Sequence, residues 1–148
     1  MRLLRTTASM LLIALACTTV TACSGPSVAF VDENASYTLE EASLLPDMLA
    51  RPEYEGRPTD DAAQLRREAL VELRGDGSVA AELAEFITRS LPTQTRAVPY
   101  YGEAAYVDGE PVWIVAELWG SEGGTLDKTR TWVFDRTTGE VIHSSFGP

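Results

Sequence analysis

His143 is the single histidine of this 148-residue chain, and Ser144 and Ser145 follow it directly, so nucleophilic catalysis is the first chemistry to test. A Ser-His-acid set needs its serine presented on a strained turn, and no Gly-x-Ser-x-Gly occurs here. Successive strand residues also point to opposite faces, which separates His143 from its immediate neighbour. The glycines of the 120–128 stretch suggest a phosphate cradle, since backbone amides of such turns bind anions. That stretch lacks a Gly-Lys-Ser/Thr ending and would bring Glu122 and Asp127 close to any phosphate, so it reads as a mobile connection between strands. Glu40-Glu41 and Asp60-Asp61 are adjacent acids, whereas calcium loops need carboxylates alternating around a glycine turn. Nothing places two of the 22 acids across a cleft as glycosidase-type chemistry requires. The expectation is therefore a chain with no catalytic residues, no metal ligands and no cofactor.

Cys23 is the residue with the clearest chemistry. Arg2 and Arg5 are followed by an apolar run over 10–17 and then by Val20-Thr21-Ala22-Cys23. The run is too short to span a bilayer, which takes roughly 20 residues, and fits the core of a cleaved signal. The two arginines favour a cytoplasmic N-terminus and hence an outward-facing remainder. With a cysteine standing where the mature chain would begin, residues 20–23 resemble the lipobox of bacterial lipoproteins. The resemblance implies cleavage before Cys23 and a diacylglycerol on its sulfur, whose two chains suffice for stable attachment. Cys17, preceded by Ala14-Leu15-Ala16, is the weaker match to that pattern. The chain is then expected on the extracytoplasmic face of the cell membrane, held there through its lipid. With Cys23 so committed, His143 has no cysteine to share a zinc site with.

Loss of residues 1–22 leaves 126 residues with ten basic side chains against 22 acids, a formal charge of −12. So acidic a surface repels nucleic acid and anionic headgroups, so nucleic acid is not expected among the partners. No disulfide is available once Cys23 is lipidated, and stability must come from packing. One lysine, Lys128, stands beside eleven arginines, a composition similar to that of actinobacterial proteins.

The elements that must position any site follow from periodicity. Ser24-Gly25-Pro26-Ser27 has the composition of a flexible tether, and the domain division expected is 1–22 signal, 23–36 lipidated cysteine and tether, and 37–148 a single small α+β domain. A brief apolar run over 28–31 is a candidate edge strand. Thr38 and Glu41 form a capping-box pair ahead of one or two helical turns that Pro46 interrupts. Residues 51–58 read as a surface loop. Ala62, Leu65, Ala69, Leu70 and Leu73 predict a helix capped by Thr59 or Asp60 and closed by Gly75. Ala80, Leu83, Ile87 and Leu91 predict a second helix, capped by Ser78, ended by Pro92 and carrying a Glu85/Arg89 pair. The short link between them predicts a helical hairpin. From residue 93 the period becomes alternating. Segments 101–107 and 112–119 turn at Asp108-Gly109, and 129–135 and 140–146 turn near Gly139. The fold expected is a helical hairpin packed on one face of a four-stranded antiparallel meander. Residues 59–146 resemble, in outline, small secreted domains of the PepSY or cystatin-like type, and that likeness carries no functional residue across.

Alternation also assigns faces. Val112, Ile114, Ala116 and Leu118 are all apolar and are expected to face the helices, with Trp132, Phe134, Ile142 and Phe146. Trp113, Val115, Glu117 and Trp119 then point outward, as do Thr129, Thr131, Val133, Val141, His143 and Ser145. Eight of the twelve aromatic residues lie from Tyr100 onward, more than a helical pair obviously covers. Either the segment around Phe30 and Tyr37 covers the outer face or a partner does. The candidate binding face is Trp113 and Trp119, with Tyr101 at its edge and Glu117 and His143 on the same side. The function expected is a membrane-anchored, non-catalytic binding or interaction module for an envelope protein or small ligand. A structural envelope role and a small hydrolase-like enzyme are the alternatives.

Overall fold

The computed structural model describes residues 25–91 and 96–148, the side chain of Pro46 excepted. The leader, Cys23 and the helix stop at Pro92 lie outside the described residues. In order, the chain forms β1 (Ala29–Val31), β2 (Ser36–Tyr37), α1 (Leu39–Met48), a 3₁₀ turn (Thr59–Asp61), α2 (Ala62–Gly75), α3 (Ser78–Ser90), β3 (Ala97–Val107), β4 (Glu110–Trp119), β5 (Lys128–Asp135) and β6 (Val141–Gly147). No helix among the described residues is long and apolar enough to cross a membrane.

Three helices and one mixed sheet make an α+β architecture. The sheet has six strands in the order β1-β3-β4-β5-β6, with β2 also on β3. The two N-terminal strands run parallel to β3, and the pairs β3–β4, β4–β5 and β5–β6 are antiparallel. Asp108 and Gly109 both take positive φ, 50° and 88°, the backbone that lets a two-residue turn follow the strand twist.

Local signals shape the helices. Thr38 and Glu41 exchange hydrogen bonds, the Thr38 amide donating to Glu41 Oε2 at 2.8 Å and the Glu41 amide to Thr38 Oγ1 at 3.2 Å. The Thr38 amide and, after it, the Thr38 hydroxyl, which donates to the same Oε2 at 3.1 Å, hold the Glu41 carboxyl below its ordinary value. α1 then continues through Pro46 to Met48, beyond the expected interruption. Thr59 caps nothing; its hydroxyl donates instead to the carbonyls of Ser121 and Gly124. Gly77, not Ser78, takes the capping position of α3, at φ 120°. Glu85 pairs with Arg74 of α2 at 2.8 Å, because the neighbouring helix brings a guanidinium to it. All the predicted stripe residues of α2 and α3 are buried, and each large aliphatic among them contributes about 1.5–3 kcal/mol.

The two sheet faces are both covered, and the assignment of residues to them is the reverse of that expected at the start of β4. Val112 and Ile114 pack with Ala105, Val107 and Val133 beneath α1, through Ala42, Leu39 and Leu45. Trp113, Val115 and Phe134 lie in the cluster formed with α2 and α3, which also takes in Ala116 and Leu118. Register explains the exchange. Trp113 stands opposite Phe134 and Val115 opposite Trp132, so odd positions of β4 share a face with even positions of β5. α3 comes close enough to β3 that a Cβ at Gly102 would collide with the Leu83 side chain.

The glycine-rich connection between β4 and β5 is pinned. Thr59 donates its amide to Gly124 O, Gly56 to Leu126 O and Leu126 to Arg57 O, while Leu126 is buried. A Cβ at Gly120 would fall on the carbonyl of Thr125. The expected mobile connection is thus a clasp onto the start of α2.

Candidate functional site

Glu117 is fully buried, at 0% exposure, and projects toward α2. It accepts hydrogen bonds from Arg130 Nη2 at 2.7 Å, Arg66 Nη1 at 3.4 Å and Trp132 Nε1 at 3.0 Å. Arg66 also donates to the carbonyls of Ile87 and Leu91, so it satisfies the C-terminal end of α3. Burial pulls the Arg66 guanidinium down and the Glu117 charge opposes that shift. This is a satisfied interior network joining α2, α3 and the sheet. It offers no carboxylate to solvent.

A second buried carboxylate, Glu103, lies on the α1 face. Tyr101 donates to its Oε2 at 2.5 Å and Tyr37 to its Oε1 at 3.0 Å. Burial foremost, and then the bond to Glu103, push the Tyr37 phenol up to about 12 and raise Tyr101 as well. Neither phenol is prepared for proton transfer near neutrality.

The predicted binding face is therefore divided. Trp113 is 1% exposed, with the Arg136 guanidinium stacked 4.2 Å from its ring and Arg136 held by Glu82 of α3. Tyr101 is buried against Glu103 instead of extending an open edge. His143 is half-buried opposite Val133, on the α1 face, whereas Glu117 faces the helical pair. The sheet lies between those two. Among the described residues, no group of three or more His, Cys, Asp or Glu side chains is placed to hold a metal.

Of the five residues, Trp119 keeps solvent contact on the face of the helical pair, and its surroundings form a distinct corner. Its register partner is Lys128, whose Nζ lies 4.9 Å from the indole centroid. Phe146 meets the same ring edge to face, centroids 6.3 Å apart, and is 64% exposed. Trp119 Nε1 donates to Thr129 O at 3.3 Å, which fixes the ring. Trp132, beneath Arg130 at 4.8 Å, continues the surface inward.

Phe146 and Ile142 were expected to face inward with the core. β6 is the last strand of the sheet, and the helical pair stops short of it. The signal for Phe146 was an aromatic on the final strand, which has a single covered side at best. Lys128 was marked by being the only lysine, at a position that pairs with a tryptophan. A second feature is a cleft of about 560 Å³ between the tether and α2, lined by Gly25, Ser27, Arg51, Tyr54, Arg57 and Glu68 among others. Its two arginines are already paired with Glu55 and Asp61. No protein-family model, curated protein or solved structure matches this chain.

Proposed function

We propose that this protein is a lipid-anchored, extracytoplasmic recognition module without catalytic activity, in which the α+β domain serves as a rigid support for the Trp119–Lys128–Phe146 corner. The observation that carries the reading is the exposure of Phe146 beside a fixed indole and a lysine. Aromatic side chains give a large contact area at little rotamer cost. In a chain of formal charge −10 this corner carries the lone lysine, Lys128, over the Trp119 indole. The occupant that suits it is an envelope protein presenting an apolar side chain flanked by carboxylates. A photo-crosslinking residue at position 128 should yield, in intact cells, an adduct with a second protein, and Trp119→Ala or Phe146→Ala should remove it. An adduct unchanged by both substitutions, or none, defeats the reading.

The anchor rests on the order Arg2, Arg5, apolar run, Val20-Thr21-Ala22-Cys23. Cys23→Ser is expected to abolish palmitate labelling and to leave an unlipidated precursor or a released chain on fractionation. Equal labelling of parent and variant would remove Cys23 from consideration.

A further inference from the structure

The direction of β1 fixes the end of the sheet at which the N-terminal tether leaves. β1 runs parallel to β3 with Ala29 beside Tyr101, so the residues before it lie toward the level of Ala97. Val28 is already buried, and Gly25 and Ser27 line the cleft with Arg51 and Arg57. Cys23 stands two residues before Gly25, which even an extended backbone spans in about 7 Å. The same level of the sheet holds the Trp119–Lys128–Phe146 corner. Ala97 pairs with Trp119, Trp119 with Lys128, and Thr129 with Gly147. Charge is distributed unequally along the strand axis. At the opposite end the start of α1, the β3–β4 turn and the β5–β6 turn carry Glu40, Glu41, Asp108, Glu110, Asp135 and Glu140, with Arg136 as counter-charge. At the tether end Arg51, Arg57 and Arg96 each lie within ion-pair distance of an acid, and Lys128 adds a further cation.

We infer that the domain stands on the outer leaflet of the cell membrane on its tether end, and that the partner of the corner is a protein embedded in that same membrane. Both halves rest on the lipid-anchored recognition reading. β4 spans ten residues, about 30 Å, so a tether of about 7 Å cannot bring the far end down to the lipid. Tipping the domain onto its side would carry the far acids toward the headgroups, and an anionic leaflet opposes that. Held upright, the corner faces whatever protrudes a short way from the bilayer, and the outer loops of a membrane-spanning protein do so. The lipid itself is a poor occupant. Glu122 and Asp127 lie in the connection that carries Lys128, and Trp119 Nε1 is already engaged by Thr129 O. Neither a net positive charge nor the polar edge of the indole, the features that hold a residue at a headgroup layer, is on offer.

The test inserts the full lipidated chain into preformed vesicles of phosphatidylethanolamine and phosphatidylglycerol whose headgroups carry an energy-transfer acceptor. Cleavage removes Cys17 and lipid blocks Cys23, so a donor dye on Glu122→Cys or Glu140→Cys reports one position. Both sites are exposed, and they lie at opposite ends of the sheet, about 30 Å apart in height. Transfer several-fold greater from position 122 than from position 140 is expected. Equal transfer means a domain that tumbles on its tether and overturns the standing orientation, as does greater transfer from position 140. A chain that carries no lipid and leaves the vesicles overturns the anchor, and the orientation with it. Mass spectrometry of the position-128 adduct is the second arm, and a partner with membrane-spanning segments is expected. An adduct with a soluble envelope protein or with phospholipid overturns the membrane-embedded partner. Absence of any adduct, with the contrast between positions 122 and 140 intact, faults the recognition reading and leaves the orientation standing.

Discussion

Glu117→Ala is expected to lower the unfolding free energy by about 3–5 kcal/mol, the cost of removing one partner from a buried ion pair. The substitution leaves Arg66 and Arg130, both under a tenth exposed, facing each other across the vacated position, and it strips the acceptor from Trp132 Nε1. The guanidiniums cannot retreat to water. Arg66 is tied to the carbonyls of Ile87 and Leu91, so its displacement also frays the end of α3. Urea denaturation followed by tryptophan fluorescence reads the effect directly, since Trp132 is part of the network. Glu117→Gln should cost less, because an amide oxygen still accepts from one guanidinium and only the charge is lost. A change below about 1 kcal/mol for the alanine variant, the range of exposed pairs, would mean that water reaches the network and that it does not join α2 to the sheet.

Trp113→Ala is the second large effect, expected at about 3–5 kcal/mol. The indole is enclosed between the sheet and α3, and its removal also leaves Arg136 stacked on nothing while still held by Glu82. Trp119→Ala should cost about 1–2 kcal/mol, within the usual range for a partly exposed site, because that ring packs chiefly on Phe146 and Lys128. The contrast separates a core tryptophan from a surface one of the same strand and the same face. Chemical denaturation of both variants is sufficient. Equal losses would show that Trp119 is an interior residue, and would remove the corner as a recognition surface.

These two tryptophans also show how far alternation carries. Odd and even positions of β4 form two sets, and the structure keeps that division at the start of the strand, where Val112 and Ile114 part from Trp113 and Val115, but not beyond it, where Ala116 and Leu118 join the cluster of Trp113 and Val115. Alternation says nothing about which layer each set meets. The even set is wholly apolar, and assigning it to the helical pair assumed that one face stays wet. α1 and β2 cover the second face through Tyr37, Leu39, Ala42 and Leu45, so an apolar set was needed on both. Once β5 pairs odd to even with β4, the aromatic pair Trp132 and Phe134 brings Trp113 with it beneath α3.

Glu103 and Glu117 illustrate the same limit from the polar side. Each interrupts an apolar run, and a lone acid in such a run reads as solvent-facing. Both are interior because partners far along the chain reach them, Tyr37 across 66 positions and Arg66 across 51. No local pattern encodes such a pairing. The edge status of β6 is likewise a property of strand order, which places β1 and β2 beside β3 and leaves the last strand open.

By itself the sequence determined what depends on neighbours a few residues apart: the stripes Ala62-Leu65-Ala69-Leu70-Leu73 and Ala80-Leu83-Ile87, the Thr38/Glu41 cap, and the positive-φ turns at Asp108-Gly109 and Gly139. These are short-range preferences of backbone and helix geometry, legible without knowing any tertiary contact. Only the tertiary structure decided which face of the sheet is covered by what, which carboxylates become interior, and which aromatic residues remain at the surface. Those outcomes turn on register and layer order, which long-range pairings select and which a shift of a single residue would invert.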